Sequence, residues 1–187
     1  MSKRFTLQDI QRLETKGIRA KATVPVQQVN QLAEIPAKEL TGNEKKSFLL
    51  GIDPDVDRCG VAIKEMGTAK ILDVKALHFY DVLNLINNLS KDADLRVYID
   101  AGWLIDKSNW HHARGAGSRE KIAKNVGACH QVGKLICSYL QRKRIEYHEV
   151  RPSKAKVSAE EFKRLNLWKG RINQDMRDAV MLIICRS

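Results

Sequence analysis

Residues 47–65 read SFLLGIDPDVDRCGVAIKE, and this stretch decides the fold. Phe48 to Ile52 is an apolar run that stops on Asp53. Pro54 follows at once, then Asp55 and Asp57, then Gly60 and a second apolar run. A short apolar run closed by turn formers predicts a buried strand. Asp53 then stands at the carboxyl end of a central strand, where open α/β sheets place their chemistry. A carboxylate there needs a neutralising partner, because burying a bare charge is costly.

Working outward, Gly60 to Glu65 predicts the hairpin partner of the first strand and Ala69 to Leu77 a third strand. Asp81 to Leu89 predicts a short helix with Val82, Leu85, Ile86 and Leu89 inward. LRVYID, Leu95 to Asp100, predicts a fourth strand, again ending on an acid. In the long helix predicted over Arg119 to Arg142, Ile122, Val126, Cys129, Val132, Ile136, Tyr139 and Leu140 fall at three- and four-residue spacings. That stripe reads as core, or as core continuing into a dimer interface. Ile145 to Val150 is the fifth strand. Ser158 with Glu161 makes a capping box, and Asn173 caps a last helix to about Cys185. Three strands joined by short turns, then helix crossovers adding parallel strands, give a mixed α/β sheet with helices on its faces. Residues 1–46 read as an N-terminal arm and linker, with a short helix from Thr6 to about Gly17; the arm is expected to pack on the domain or on a second subunit, or to grip a nucleic-acid backbone through Arg4, Arg12, Lys16, Arg19 and Lys21. Residues 47–187 form the main domain.

The chain has 187 residues, a net charge of +11 and four Cys. The Cys form no Cys-x-x-Cys pair, which argues against zinc and for buried free thiols. No apolar run approaches the roughly 18 residues of a membrane span, and MSKRFTLQDIQRLE does not read as a secretion signal. A reducing cytoplasm fits. From Lys107 to Arg171 there are 16 Lys and Arg against 5 Glu and no Asp. The whole positive excess lies in that region, as expected for a surface that meets a polyanion such as nucleic acid.

Asp53 and Asp100 end strands that run the same way, so as neighbours their carboxylates would meet at one sheet end. Asp175 and Asp178 share a helix face, about 4.5 Å apart along the axis. Singly, each has a plainer reading. Asp53 suits a turn before Pro54, Asp100 a cap, and Asp175 the helix dipole. Asp178, mid-helix beside Ala179 and Val180, is a poor core residue. Jointly, four converging carboxylates need cations between them. Hard oxygen ligands without Cys or His suit Mg2+ or Mn2+, and two such ions can clamp a phosphodiester.

These residues carry a resemblance. GIDPDVDRCGVAI resembles the opening strand of the RuvC family of Holliday-junction resolvases, whose usual form is Gly-Ile-Asp-Pro-Gly. VYID is similar to that family's second acidic position, and QDMRDAVML to its closing Asp-x-x-Asp-Ala helix. Between them come a small-residue helix, NVGACHQVGKLI, and a strand ending in Pro ahead of Lys154 and Lys156. The resemblance covers about Phe48 to Ile184. It implies an RNase H-like fold, a homodimer, Mg2+-dependent cleavage and branched double-stranded DNA as substrate. By matching position, the catalytic metal ligands would be Asp53, Asp100, Asp175 and Asp178. Asp55 departs from the family's Gly, and Asp100 stands where the bacterial housekeeping enzymes usually carry Glu. The loop from Trp110 to Ser118 and the segment from Lys163 to Arg171 have no counterpart in the family's pattern. A phage or mobile-element branch fits such drift.

Trp103 is expected either to stack on bases of an opened junction or to fold back on the sheet. Trp110, His111, His112 and Arg114 form an aromatic-basic loop that suits DNA, and Arg119 follows it. The His pair lacks a third ligand at useful spacing. Lys154 and Lys156 are expected at phosphates, or as ordinary surface lysines. Trp168 reads as packing. Two rival functions stay open: a nuclease of the same fold acting on RNA–DNA hybrids or flaps, and a non-catalytic DNA-binding module whose four Asp would lie scattered. Gly-Ile-Asp also opens the phosphate loop of sugar kinases, but those need two duplicated halves.

Overall fold

A computed structural model describes residues 22–23, 46–91, 93–105, 116–153, 156–165 and 167–186. Its sheet has six strands: β1 (Ala22–Thr23), β2 (Lys46–Asp53), β3 (Cys59–Glu65), β4 (Ile71–Leu77), β5 (Ala93–Asp100) and β6 (Glu146–Val150). The helices are α1 (Phe79–Leu89), α2 (Ala116–Lys143), α3 (Ala159–Leu165) and α4 (Gln174–Ile183). Strand order is β1-β6-β5-β2-β3-β4. β2, β3 and β4 form the expected antiparallel meander, and Gly67, at φ 75°, makes its second turn in the left-handed region that glycine favours. β5 and β6 are then added parallel to β2, across α1 and α2. The predicted mixed sheet is the observed one.

The central strands are buried on both sides, which is why Phe48 to Ile52 reads as a continuous apolar run. One face, with Leu50, Ile52, Val61, Val97 and Ile99, packs on Val82 and Ile86 of α1 and on Ile136, Cys137 and Leu140 of α2. The opposite face, with Leu49, Ala62 and Tyr98, packs on Phe162 of α3 and on Ala179, Val180 and Ile183 of α4. Helices therefore cover both faces, as expected.

Within the arm, Ala22–Thr23 pairs antiparallel with Glu149 and Val150 as an edge strand, so this part of residues 1–46 packs on the main domain. Two expectations need correction. The α2 stripe is not core along its length. Ile136, Cys137 and Leu140 are buried, but Ile122, Val126 and Cys129 are only partly so, which removes the core-only reading of that half of the helix. The thiols are free, but only Cys59 and Cys137 are buried; Cys185 is exposed. The predicted helix from Thr6 lies outside the described residues, as do Arg4, Arg12, Lys16, Arg19 and Lys21. Among the described residues, no helix is long and apolar enough to cross a membrane.

Candidate active site

Strand alternation sends Asp53 and Asp100 to one face. Asp53 shares parity with Leu49, and Asp100 with Tyr98, and both of those residues pack toward α4. β2 and β5 are parallel neighbours with Ile52 opposite Ile99, so the next residue in each strand is an aspartate standing beside the other. α4 reaches the same place because two glycines let its backbone lie on the sheet. A methyl on Gly51 would strike the Ala179 carbonyl, and one on Gly60 would strike the backbone of Asp175 and Met176. Gly60 is itself paired with Asp53. Asn173 caps the helix as expected: its Oδ1 accepts from the Met176 N–H at 2.9 Å. Its amide donates to Asp175 at 3.2 Å. The four predicted acids are thus brought to one sheet end on one face.

Their electrostatics record that crowding. Burial, then repulsion by Asp100 and Asp178, pushes Asp53 up from 3.8 to about 8. Burial raises Asp100 to about 6; Lys156 pulls it down and Asp178 pushes it up. Asp175 is raised by burial and then by Asp55 and Asp178. The ammonium of Lys156 answers all four: it bonds Asp178 and draws Asp53, Asp100 and Asp175 toward the charged form.

Among the described residues, no three His, Cys, Asp or Glu stand as a group set to hold an ion, so the acids gather without forming a closed cage. The donor set nevertheless fits a hard divalent ion. Every candidate ligand is a carboxylate oxygen. Oδ1 of Asp100 is buried and has no hydrogen-bond partner among the described residues; such an orphaned acceptor asks for a cation or a donor.

Two residues of this site were not singled out from the sequence. The Gln174 amide donates to Asp178 Oδ1 at 2.7 Å, and Arg177 Nη2 donates to Gln174 Oε1 at 2.6 Å. Arg177 also donates to the carbonyls of Val157 at 3.3 Å and Ile172 at 3.4 Å. It thereby ties the segment carrying Lys156 to the helix carrying Asp178. The available signal was spacing, since Gln174 lies one helical turn before Asp178. Asp55 has a structural use as well. Its Oδ1 accepts from the N–H groups of Asp57 at 2.8 Å and Arg58 at 3.3 Å, closing the turn after Pro54. Its other oxygen meets Cys129 Sγ at 3.5 Å.

Of the residues expected on DNA, Lys156 lies at the acids. Trp103 is folded onto the core with its Nε1–H donating to Glu149 at 3.0 Å. Arg114 and Lys154 lie outside the described residues, as do Trp110, His111, His112 and the side chain of Arg119. Trp168 packs beside α4.

No family model and no curated protein matches this chain. Among solved structures, it is similar to Thermus thermophilus RuvC in complex with Holliday junction substrate. That match has 12% identity and a TM-score of 0.47, over 74% of this chain and 91% of the other. The Thermus thermophilus RuvC structure is similar at 11% identity and TM-score 0.42, over 74% and 92%.

Proposed function

We propose that this chain is a metal-dependent endonuclease that hydrolyses DNA phosphodiesters, with the four-way junction as its substrate. The observation that carries the reading is the meeting of Asp53, Asp100, Asp175 and Asp178 from three elements on one face of one sheet end. A non-catalytic module would leave them scattered. The motif resemblance from Phe48 to Ile184 supports the junction as substrate, and two protomers pairing suit its two symmetric strands.

The four aspartates would hold two Mg2+ or Mn2+ ions. Bound there, such ions supply Lewis-acid polarisation of the phosphate and an acidified attacking water. The protein's own part is positioning. Gln174 and Arg177 fix Asp178, and Asn173 fixes Asp175. Lys156, half exposed beside Asp178, is placed to exchange a carboxylate for a phosphate oxygen as negative charge arrives. Exposed Lys121 and Lys134 on α2 and Arg151 after β6 would supply cations to the DNA backbone; Lys124 is paired with Glu120 at 2.8 Å. Ser, Cys and Lys take no covalent role.

The test is purified protein on a synthetic four-way junction, with Mg2+ or with chelator. Symmetric nicks in Mg2+ alone are expected. Asp53→Asn and Asp178→Asn should bind the junction without cutting it, and full activity of either variant ends the proposal. Parallel RNA–DNA hybrid and flap substrates separate this reading from the second nuclease reading.

A further inference from the structure

Beside the acids, a cavity of about 350 Å³ opens between the turn at Gly102–Leu104 and the amino-terminal half of α2. We propose that it takes an unstacked nucleobase, from the nucleotide at the cut phosphate, with Asn125 and His130 reading the base edge. This rests on the nuclease reading above and adds to it a site and a ligand class.

Size and continuity come first. The volume lies within the roughly 300–1,000 Å³ typical of small-ligand sites. Asp53, Asp100 and Lys156 line the cavity and belong to the acid cluster too. A ligand filling it therefore adjoins whatever is held over those carboxylates.

Charge then decides which part of a nucleotide goes in. Among the described residues lining the cavity, Lys156 is the one cation, and it stands at the acid end, bonded to Asp178; the rest of the lining beyond Asp53 and Asp100 is apolar or neutral polar. A phosphate away from that end would meet no described cation. A neutral planar ring needs none, so the phosphate belongs over the acids and the base with the cavity.

The walls suit such a ring and are already in place. Pro54, Trp103, Ile105 and Val126 supply apolar surface. The indole of Trp103 is fixed by its bond to Glu149 and stands edge-on to His130, with ring centroids 6.1 Å apart at 75°. Glycines seat both rings: a methyl on Gly133 would strike Trp103, and one on Gly102 would strike His130. Little ordering is then left for the moment of binding.

Two hydrogen-bonding side chains complete the site. Asn125 and His130 line it from α2. An amide and an imidazole each present a donor and an acceptor, the pattern a base edge complements. Burial and the nearby Lys134 lower the pKa of His130, which keeps the ring neutral near pH 7. A branch point supplies a base whose extrusion is cheap, because its stacking is already interrupted.

The experiment measures junction binding in chelator, where nothing is cut, and places a single abasic nucleotide at successive positions around the crossover. At one position the abasic junction should bind wild-type protein about tenfold more weakly. The Asn125→Ala/His130→Ala double variant should lose most of that discrimination, and in Mg2+ its preference among bases there should flatten. Indifference of the wild type to the abasic site at every position overturns the base site and leaves the nuclease reading standing. So does a double variant that discriminates as well as wild type. Failure of the wild type to bind or cut any junction defeats the nuclease reading, and the base site falls with it.

Discussion

The ammonium of Lys156 bonds the carboxylate of Asp178, and it is the cation that all four clustered aspartates feel. In metal-free protein this lysine partly offsets the repulsion among them. Lys156→Met should lower the melting temperature in chelator at pH 8, by roughly 2–4 °C for each 1 kcal/mol lost. Added Mg2+ should raise it more in the variant than in wild type, because no ammonium then competes for Asp178. An unchanged melting temperature in chelator would remove Lys156 from this role.

Asp53 gives a pH dependence with a definite sign. Its folded pKa of about 8 lies above the ordinary 3.8, so the folded state holds the proton more tightly than the unfolded chain. The stability this contributes is complete below about pH 4 and is lost as pH rises through about 8. Metal-free protein should therefore melt progressively lower from pH 5 to pH 8. Asp53→Asn, which cannot ionise, should flatten the decline. A steeper decline in the variant would contradict the assignment.

The contact between Gly60 and α4 sets where Asp175 sits. A side chain at Gly60 meets the backbone of Asp175 and Met176, whereas one at Gly67 meets nothing within 4 Å. Gly60→Ala should cost about 1–3 kcal/mol by overpacking, and should abolish cutting although all four acids remain. Gly67→Ala, strained by its positive φ, should cost about 1 kcal/mol and leave cutting intact. Urea unfolding beside junction cleavage reads both, and a Gly60→Ala protein that cuts normally would detach the helix contact from the chemistry.

Much of this was legible in the sequence because the relevant signals are local. An apolar run broken by Asp-Pro marks the end of β2, Asp100 repeats the pattern on β5, and Asn173 announces α4. Strand direction then put Asp53 and Asp100 at the same end of the sheet, and their meeting depended on β2 and β5 being neighbours, which the fold supplies. What was hidden depends on distant partners. The stripe on α2 shows which side of the helix is apolar but not what covers it, so Ile122 and Val126, read as core or as core continuing into a dimer interface, are only partly covered. The pairing of Ala22–Thr23 with β6 lies in a segment with no periodicity. The bond from Lys156 to Asp178 joins residues 22 apart and follows from Arg177 holding the Val157 carbonyl, a link that no spacing rule encodes.

Lys64 is the clearest case of a charge whose role only the fold reveals, and it yields the last prediction. On β3 it reads as a polar residue near a strand end, yet it is 2% exposed. Its parity matches Ala62, so it points to the α4 face, at the end of the sheet away from the acids. There its ammonium donates to the carbonyls of Ile183 and Ile184, each at 3.3 Å, and to that of Arg186. These carbonyls lie at the carboxyl end of α4, where helix carbonyls lack intrahelical partners and the dipole favours a cation. Burial lowers the lysine's pKa, and the three acceptors compensate the charge. Lys64→Met keeps the length and removes the donors, so the buried Ile184 carbonyl loses its bond from Lys64, while that of Ile183 keeps the Arg186 N–H at 3.1 Å. It should destabilise the fold by about 1–3 kcal/mol in urea unfolding. Since α4 also carries Asp175 and Asp178, fraying its far end should reduce cleavage less than Gly60→Ala does at the near end. A Lys64→Met protein as stable as wild type would show that these carbonyls find other donors.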